Sequence, residues 1–352
     1  MDTIYDVIVI GGGQSGLASA YYLRRHKFNY LVLDSQPQCG GAWNNVWESL
    51  ALFSPAEHSS LPGWPMPASE YKFPLRSEVI DYLCRYEQRY SIPVKRSVKV
   101  ERVTKENSFF SIETDTGSYS AKTIISATGT HGHPIIPDVP GRAAFKGIQL
   151  HSSQYKNPQP YTGRKVLVVG EGNSGAQLVA ELSKVAAVKW ATRKEPQFLP
   201  DHVDGYYLFN VASARYHAEK EGKAFDAQQY SLGNIVMVPA VKEARERGEL
   251  QSSGSFSTIY EEGVIYDNGE KEAFDVILWC TGFGYDTGFL EDITEIDSQG
   301  IVPSIESRSL QAEGLWLVGY GNWTGYAAAT LIGVNRNAKQ AVSEIAEYLN
   351  TK

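Results

Sequence analysis

The stretch VIVIGGGQSG, residues 7–16, decides the fold because it joins a short apolar run to a glycine-rich turn. A brief β-branched run is typical of a buried strand in a parallel sheet. In the turn, Gly11 permits a tight bend, Gly13 lets an anion approach the backbone, and Gly16 lets a following helix pack closely on the strand. The helical spacing of residues 17–23 supplies that helix, whose free N–H groups attract phosphate. The stretch predicts a unit that binds the pyrophosphate of a dinucleotide.

A carboxylate stands where the adenosine ribose of such a ligand would lie. Residues 30–33 predict a second strand that ends in Asp34, 23 positions after Gly11 (34 − 11). An acidic residue at about this distance accepts hydrogen bonds from ribose hydroxyls. A glycine-rich turn alone is a weak signal, but the strand, the helix and the acid together predict a dinucleotide site.

The same pattern recurs in VLVVGEGNSG, residues 166–175. The position 23 after Gly170 (193 − 170) is Arg193, and Lys194 follows it. A guanidinium is a planar, permanently charged donor that suits the 2′-phosphate of NADPH, whereas Asp34 suits the ribose of FAD. The first copy is thus predicted to bind FAD and the second NADPH, with NADH as a further candidate. A simpler interpretation, in which the two cations only solvate a strand end, stays open.

Each copy continues in the same order. Alternating polarity at 98–113 and 256–266 predicts β-meanders, and each meander leads to an apolar strand that ends in Thr-Gly. A further strand, residues 314–319, and a helical tail, residues 327–349, follow the second copy. The predicted fold is α/β, with two Rossmann-like dinucleotide-binding domains, the NADPH domain being inserted into the FAD domain. The predicted FAD domain is 1–157 and 285–352, and the predicted NADPH domain is 158–284.

Composition excludes several classes of function. The net charge of −7 argues against nucleic acid or an anionic membrane as the main partner. Cys39, Cys84 and Cys280 are widely spaced, so the sequence supports neither a disulfide framework nor a zinc site. No run of about 18 apolar residues is present, so a membrane-spanning helix is not expected. A predicted strand begins almost at the N-terminus and leaves no room for a signal peptide. The sequence predicts a cytoplasmic protein without a metal.

Two further stretches resemble a known family. Residues 145–156 match F-x-G-x-x-x-H-x-x-x-[YF]-[KP], the pattern between the two glycine motifs of flavin-containing monooxygenases, and residues 40–43 resemble their GG-x-W. The resemblance is to short, soluble bacterial members and runs from about residue 5 to 345. The related Baeyer–Villiger monooxygenases usually have Trp followed by Pro or Asp where Tyr155 and Lys156 stand. The pattern therefore favours the branch that oxidises heteroatoms.

The resemblance implies a reaction. NADPH reduces FAD, the reduced flavin and O2 form a C4a-hydroperoxide, and one oxygen atom passes to a sulfide or an amine; oxidation of ketones stays open. Trp43, Phe53 and Trp323 are candidates to line the flavin face, whereas His151 of the fingerprint is interpreted as structural. Mammalian-type members have an asparagine near position 53, and a phenyl ring cannot hydrogen-bond a polar intermediate. An uncoupled NADPH oxidase that releases hydrogen peroxide is therefore the alternative.

Two other functions fit these motifs less well. A disulfide reductase of this architecture needs two cysteines beside the flavin, and Cys39 has no neighbouring partner in the sequence. A non-catalytic flavin or nucleotide sensor would need only one of the two sites. The expected partners are a small-molecule substrate and O2, with a homodimer left open. The residues predicted to contact the cofactors are Gly11, Gly13, Gln14, Ser15, Gly16, Asp34, Gly41, Trp43, Val100, Thr128, Gly129, Gly170, Gly172, Asn173, Ser174, Gly175, Arg193, Lys194, Thr281 and Gly282.

Overall fold

The computed structural model describes residues 3–106, 108–223 and 234–351. The strands in these ranges are β1 (Ile4–Ile10), β2 (Tyr30–Leu33), β3 (Val94–Lys95), β4 (Val100–Glu106), β5 (Phe109–Thr114), β6 (Gly117–Ser126), β7 (Ile148–His151), β8 (Lys165–Val169), β9 (Ala187–Ala191), β10 (Phe256–Tyr260), β11 (Gly263–Tyr266), β12 (Lys271–Ala273), β13 (Val276–Trp279), β14 (Ser304–Ile305), β15 (Arg308–Ser309) and β16 (Leu315–Leu317). The α-helices are α1 (Gln14–His26), α2 (Arg76–Arg89), α3 (Asn173–Leu182), α4 (Gly205–Lys220), α5 (Pro239–Glu246) and α6 (Leu331–Thr351). The predicted α/β class is confirmed.

The first compact unit comprises Met1–Asn44, Ser54–His133 and Phe283–Lys352. Its sheet runs β14-β15-β16-β6-β1-β2-β3, and the meander of β4 and β5 attaches to β6. β16, β6, β1, β2 and β3 pair in parallel, while the meander pairs antiparallel. The apolar run of β1 is fully buried because the sheet covers its edges and side chains from both faces pack on it.

The second unit comprises Asn45–Phe53 and Pro134–Gly282. Its four-stranded sheet has the order β7-β13-β8-β9, and all three pairings are parallel. The predicted second meander forms a separate antiparallel sheet of β10, β11 and β12. As in the first unit, a glycine turn links a central strand, β8, to the helix α3.

The boundaries of these units differ from the predicted ones in three places, the smallest being residues 283 and 284, which lie in the first unit rather than the second. Residues 134–157 were assigned by sequence to the first domain, but β7 pairs with β13 and so belongs to the second sheet. Residues 45–53 also belong to the second unit, where Trp47 packs among the buried side chains of its core. The helical tail begins at Leu331 rather than Ala327, because Gly325 and Ala327 have positive φ and interrupt the helix.

Candidate functional site

The first glycine turn leaves no room for side chains. Gly11 has φ of +108°, and a Cβ on it would lie 2.4 Å from the carbonyl oxygen of Ala127. A Cβ on Gly16 would lie 1.9 Å from the carbonyl oxygen of Gly11. α1 begins at Gln14 without a side-chain cap hydrogen bond. The N–H groups of its first turn are therefore left to an external acceptor, such as a phosphate.

The second glycine turn has the same geometry. Gly170 has φ of +126°, and a Cβ on it would lie 2.3 Å from the carbonyl oxygen of Cys280. A Cβ on Gly175 would lie 2.1 Å from the carbonyl oxygen of Gly170. α3 also begins without a side-chain cap hydrogen bond. The two turns are thus close copies in backbone shape, as the repeated motif predicts.

The GG-x-W loop lies against the first turn. A Cβ on Gly41 would lie 2.7 Å from the Cα of Gly13, so the two backbones are in contact. The Trp43 indole Nε1 donates a hydrogen bond of 3.3 Å to Oε1 of Gln14 at the start of α1. The structure therefore brings four of the predicted cofactor residues together at one helix end.

The loop before α6 reaches the same helix end. A Cβ on Gly319, whose φ is +89°, would lie 1.9 Å from Oγ of Ser15. Asn337 of α6 holds this approach, since its Oδ1 accepts a 3.0 Å hydrogen bond from the Gly319 N–H. Trp323 packs on Tyr320 with ring centroids 5.3 Å apart. The flavin contacts predicted for Trp43 and Trp323 stay predictions.

The two Thr-Gly strand ends are fixed by their threonine hydroxyls. Oγ1 of Thr128 donates to the carbonyl oxygen of Asp286 over 2.7 Å, and Oγ1 of Thr281 donates to that of Ile135 over 2.5 Å. The glycine after each threonine has positive φ. Each end therefore turns away from its sheet beside a glycine-rich loop of its own unit.

Asp34 lies at the end of β2 and is buried. Its Oδ2 forms an ion pair with Arg96, and Arg96 forms a second ion pair with Glu87. Burial raises the pKa of Asp34, while the Arg96 guanidinium opposes that shift. Val100, the other predicted contact nearby, is buried at the start of β4. Arg96 was not predicted, because it lies 62 residues from Asp34 in a segment without a motif.

Arg193 and Lys194 follow β9 and are exposed. Arg193 Nη2 lies 3.7 Å from Oε1 of Glu171, the residue between the first two motif glycines. Arg193 and Glu171 help to line a cavity of about 460 Å³ within the second unit, together with Ile135, Pro137, Val139, Val169, Gly170, Gly172, Ala191, Thr192, Ser255, Phe256, Trp279, Cys280 and Thr281. The structure thus gathers the second glycine turn, the second Thr-Gly end and Arg193 around one cavity.

Asn173 and Phe53 are engaged with other parts of the second unit. The Asn173 side chain donates to the Asn234 carbonyl over 2.9 Å and accepts from the Val236 N–H over 2.8 Å. Phe53 packs against a buried cluster that includes Leu199. Its predicted place over the flavin stays a prediction, as do the contacts predicted for Asn173 and its neighbour in the motif.

His151 ends β7 and is buried. Its Nδ1 accepts a 3.2 Å hydrogen bond from the Ser153 N–H, and its Nε2 lies 3.1 Å from the carbonyl oxygen of Gly282. Both contacts are satisfied by the neutral ring with the proton on Nε2. Burial lowers the pKa of His151, which favours the same neutral form. The ring therefore links β7 to the Thr-Gly end after β13.

We expect His151 to make stability depend on pH. Because the folded pKa lies below the unfolded value of about 6.5, this contribution is present above pH 6.5 and is lost as the pH falls through the folded pKa. Each pH unit in that window lowers the free energy of unfolding by at most about 1.4 kcal/mol. Melting curves of the wild type and of His151→Gln between pH 5 and 8 test this. A variant with the same pH profile as the wild type would contradict it.

The prediction that the cysteines form no disulfide was wrong. Cys39, next to the GG-x-W loop, is bonded to Cys84 of α2 across a separation of 45 residues. The pairing was missed because only the docking of α2 brings the two thiols together, with Cα atoms 5.2 Å apart. Cys280 is free. Burial raises the pKa of its thiol to about 12, so it is held protonated.

Reduction of this disulfide should destabilise the first unit. Closing a loop of 45 residues restricts the unfolded chain, and that restriction is worth roughly 4 kcal/mol. A reductant should therefore lower the Tm of the wild type but leave the Tm of Cys39→Ser/Cys84→Ser, already low, unchanged. An equal effect of reductant on both proteins would mean that the bond does not form in solution.

Among residues 3–106, 108–223 and 234–351, no group of His, Cys, Asp or Glu side chains could hold a metal ion. In the same ranges, no helix is both long enough and apolar enough to cross a bilayer.

Comparisons with known proteins agree with the predicted family. The family model of the pyridine nucleotide-disulphide oxidoreductases matches residues 8–319. A flavin-containing monooxygenase from Stenotrophomonas maltophilia has a solved structure with a TM-score of 0.90, at 43% identity, covering 99% of this chain and 100% of that one. An uncharacterized oxidoreductase, CzcO, from Bacillus subtilis is 30% identical over 97% of this chain and 99% of its own. A probable indole-3-pyruvate monooxygenase, YUCCA4, from Arabidopsis thaliana is 30% identical over 89% of this chain and 84% of its own.

Proposed function

The chain belongs to the flavin monooxygenases of the pyridine nucleotide-disulphide oxidoreductase family, and from that premise we propose that it uses FAD and NADPH to place one oxygen atom of O2 on a small, soft nucleophile. The observation that carries the proposal is the duplicated glycine turn with opposite charges at the ribose position. Asp34 directly follows β2, and Arg193, at the same distance of 23 residues from the first motif glycine, is the second residue after β9.

The residues of both units suit the proposed cofactors. Gly11 and Gly16 leave no room for a side chain, which keeps the turn tight and α1 close to β1. Gly13 would let the FAD pyrophosphate approach the backbone, and Asp34 would accept its ribose hydroxyls. In the second unit, the turn from Gly170 to Gly175 would hold the NADPH pyrophosphate, and Arg193 would bind the 2′-phosphate. When bound, the flavin supplies hydride acceptance from NADPH and the activation of O2.

The remaining work falls to the chain's own residues. Arg96 keeps Asp34 oriented and favours its charged, hydrogen-bond-accepting form. The contacts of Gly319 with Ser15 and of Trp43 with Gln14 fix two loops over the first turn of α1. Loops that are held at the start of α1 would orient the ring of a bound flavin and limit the access of water to it.

The alternative is an NADPH oxidase that returns hydrogen peroxide. Phe53 favours it, because its side chain offers no hydrogen bond to a polar intermediate. In the second unit Phe53 packs on apolar neighbours, and its backbone carbonyl accepts a 2.7 Å hydrogen bond from the Gly205 N–H. Phe53→Asn is the matched change, and it should raise the yield of oxygenated product per NADPH consumed.

A rapid-mixing experiment tests the proposal. The yellow protein is reduced by NADPH without air and then mixed with O2 and a sulfide such as thioanisole. We expect a transient absorption between the reduced and oxidised flavin bands, with a decay that the sulfide accelerates. Direct return to oxidised flavin with stoichiometric peroxide would establish the oxidase instead. Absence of any flavin reduction by NADPH would leave only a binding role.

The physiological substrate class within sulfides, amines and ketones is decided by the same assay run with one representative of each. The cytoplasmic location and a homodimer stay predictions of the sequence.

A further inference from the structure

The two glycine motifs carry their acidic side chain at different positions. In the first copy the second motif residue is Gly12, and a Cβ built on it would lie 2.7 Å from Oδ2 of Asp34. In the second copy the second motif residue is Glu171, and Arg193 is the second residue after the strand that follows the helix. The side chain at the second motif position is thus directed toward the end of the next strand. A ribose bound beside the turn would therefore meet a carboxylate in both copies, from the strand end in the first and from the glycine turn in the second.

The contacts of Glu171 agree with this arrangement. Its Oε1 lies 3.7 Å from Nη2 of Arg193, and its Oε2 accepts a long hydrogen bond of 3.4 Å from the Arg193 backbone N–H. Both residues line the cavity of the second unit beside Gly170 and Gly172. Glu171 is therefore placed between the glycine turn and the cation predicted to bind the 2′-phosphate.

The two guanidinium groups differ in how firmly they are held. The Arg96 side chain is 18% exposed and forms ion pairs with both Asp34 and Glu87. The Arg193 side chain is 87% exposed and has one long contact to Glu171. An exposed ion pair at such a distance contributes little, so Arg193 can turn to a phosphate at small cost. Arg96, held between two carboxylates, is less free to do so.

We propose that Glu171 is a specificity-determining residue, whose carboxylate accepts the ribose hydroxyls of NADH and opposes the 2′-phosphate of NADPH. The inference rests on the proposed function of the second unit as the nicotinamide-nucleotide site. With NADPH, Arg193 leaves Glu171 for the phosphate, and the carboxylate then faces a second anion. With NADH, the carboxylate serves the ribose as Asp34 does in the first unit. Arg193 and Glu171 together let one site use both cofactors.

The test is calorimetric titration of the FAD-loaded protein with NADP⁺ and with NAD⁺, which need no turnover. Glu171→Gln keeps the side-chain volume and removes the charge. It should tighten NADP⁺ about five- to tenfold and weaken NAD⁺ about fivefold, because one anionic repulsion and one charge-assisted hydrogen bond are lost. The preference for NADP⁺ should therefore rise about thirtyfold.

Glu195→Gln is the matched control, since Glu195 is exposed and lies two residues beyond Arg193. It should change both affinities by less than about twofold. Equal changes for NADP⁺ and NAD⁺ in Glu171→Gln, or an equally large change in preference in Glu195→Gln, would overturn the proposal in favour of a general charge effect. A wild type that binds neither nucleotide would instead overturn the proposed nucleotide site itself.

Discussion

Gly16→Val should yield a protein that is purified without FAD. The added side chain begins 1.9 Å from the carbonyl oxygen of Gly11, so α1 must shift away from β1 and the anion cradle opens. If the whole of an overpacking cost of roughly 3 kcal/mol must be met again when FAD binds, the affinity for FAD falls about a hundredfold. The measurement is the flavin absorbance per protein after purification, followed by titration with FAD.

Gly288→Val is the control for this change. A Cβ on Gly288 meets no atom within 4 Å, and its φ is not positive, so FAD content should be unaffected. Asp34→Asn is a second variant that separates loss of FAD binding from misfolding. It leaves the glycine turn intact and should still weaken the binding of FAD about tenfold. Full FAD content in Gly16→Val would mean that this turn does not hold the pyrophosphate.

Arg193→Ala should separate the two nicotinamide cofactors. Loss of a charge-assisted contact to the 2′-phosphate should raise the Kd for NADPH about ten- to a hundredfold, whereas the Kd for NADH should change less than about threefold. The dependence of the rate of anaerobic flavin reduction on cofactor concentration gives both constants. The effect on NADPH should also shrink in high salt, because the contact is exposed.

Arg164→Ala removes the same charge from an exposed position of the second unit and should leave the preference unchanged. Equal weakening of NADPH and NADH by Arg193→Ala would show that Arg193 only contributes to the general field around the site. The simpler interpretation, a cation that solvates a strand end, would then hold.

The sequence predicted the local parts of this architecture well. The glycine turns, Asp34 and Arg193 lie within about 25 residues of one another in each copy, and backbone demands fix their spacing. The positive φ of Gly11 and Gly170 is a property of the turn itself. Such features can be recognised without knowing the rest of the fold. The family can be recognised in the same way, because short motifs identify it.

The parts that depend on distant packing were missed. Three features depend on segments that no short sequence pattern connects. They are the ion pair of Arg96 with Asp34, the disulfide between Cys39 and Cys84, and the position of residues 45–53 in the second unit. Glu171 is different, because it stands inside the second motif. Comparing the two motifs at every position, not only at the glycines, would have singled it out.

The first unit cannot complete its sheet until the second unit has been synthesised, because its strands lie on both sides of the second unit in the chain. β16 pairs with β6 in the interior of the large sheet, yet the whole of 134–282 lies between them in the chain. On the ribosome, residues 124–126 of β6 must therefore wait with one edge unpaired until β16 emerges, although β5 already pairs with residues 117–121 on that edge and the second unit has all of its strands. This short unpaired edge is the place where a nascent chain is open to mispairing.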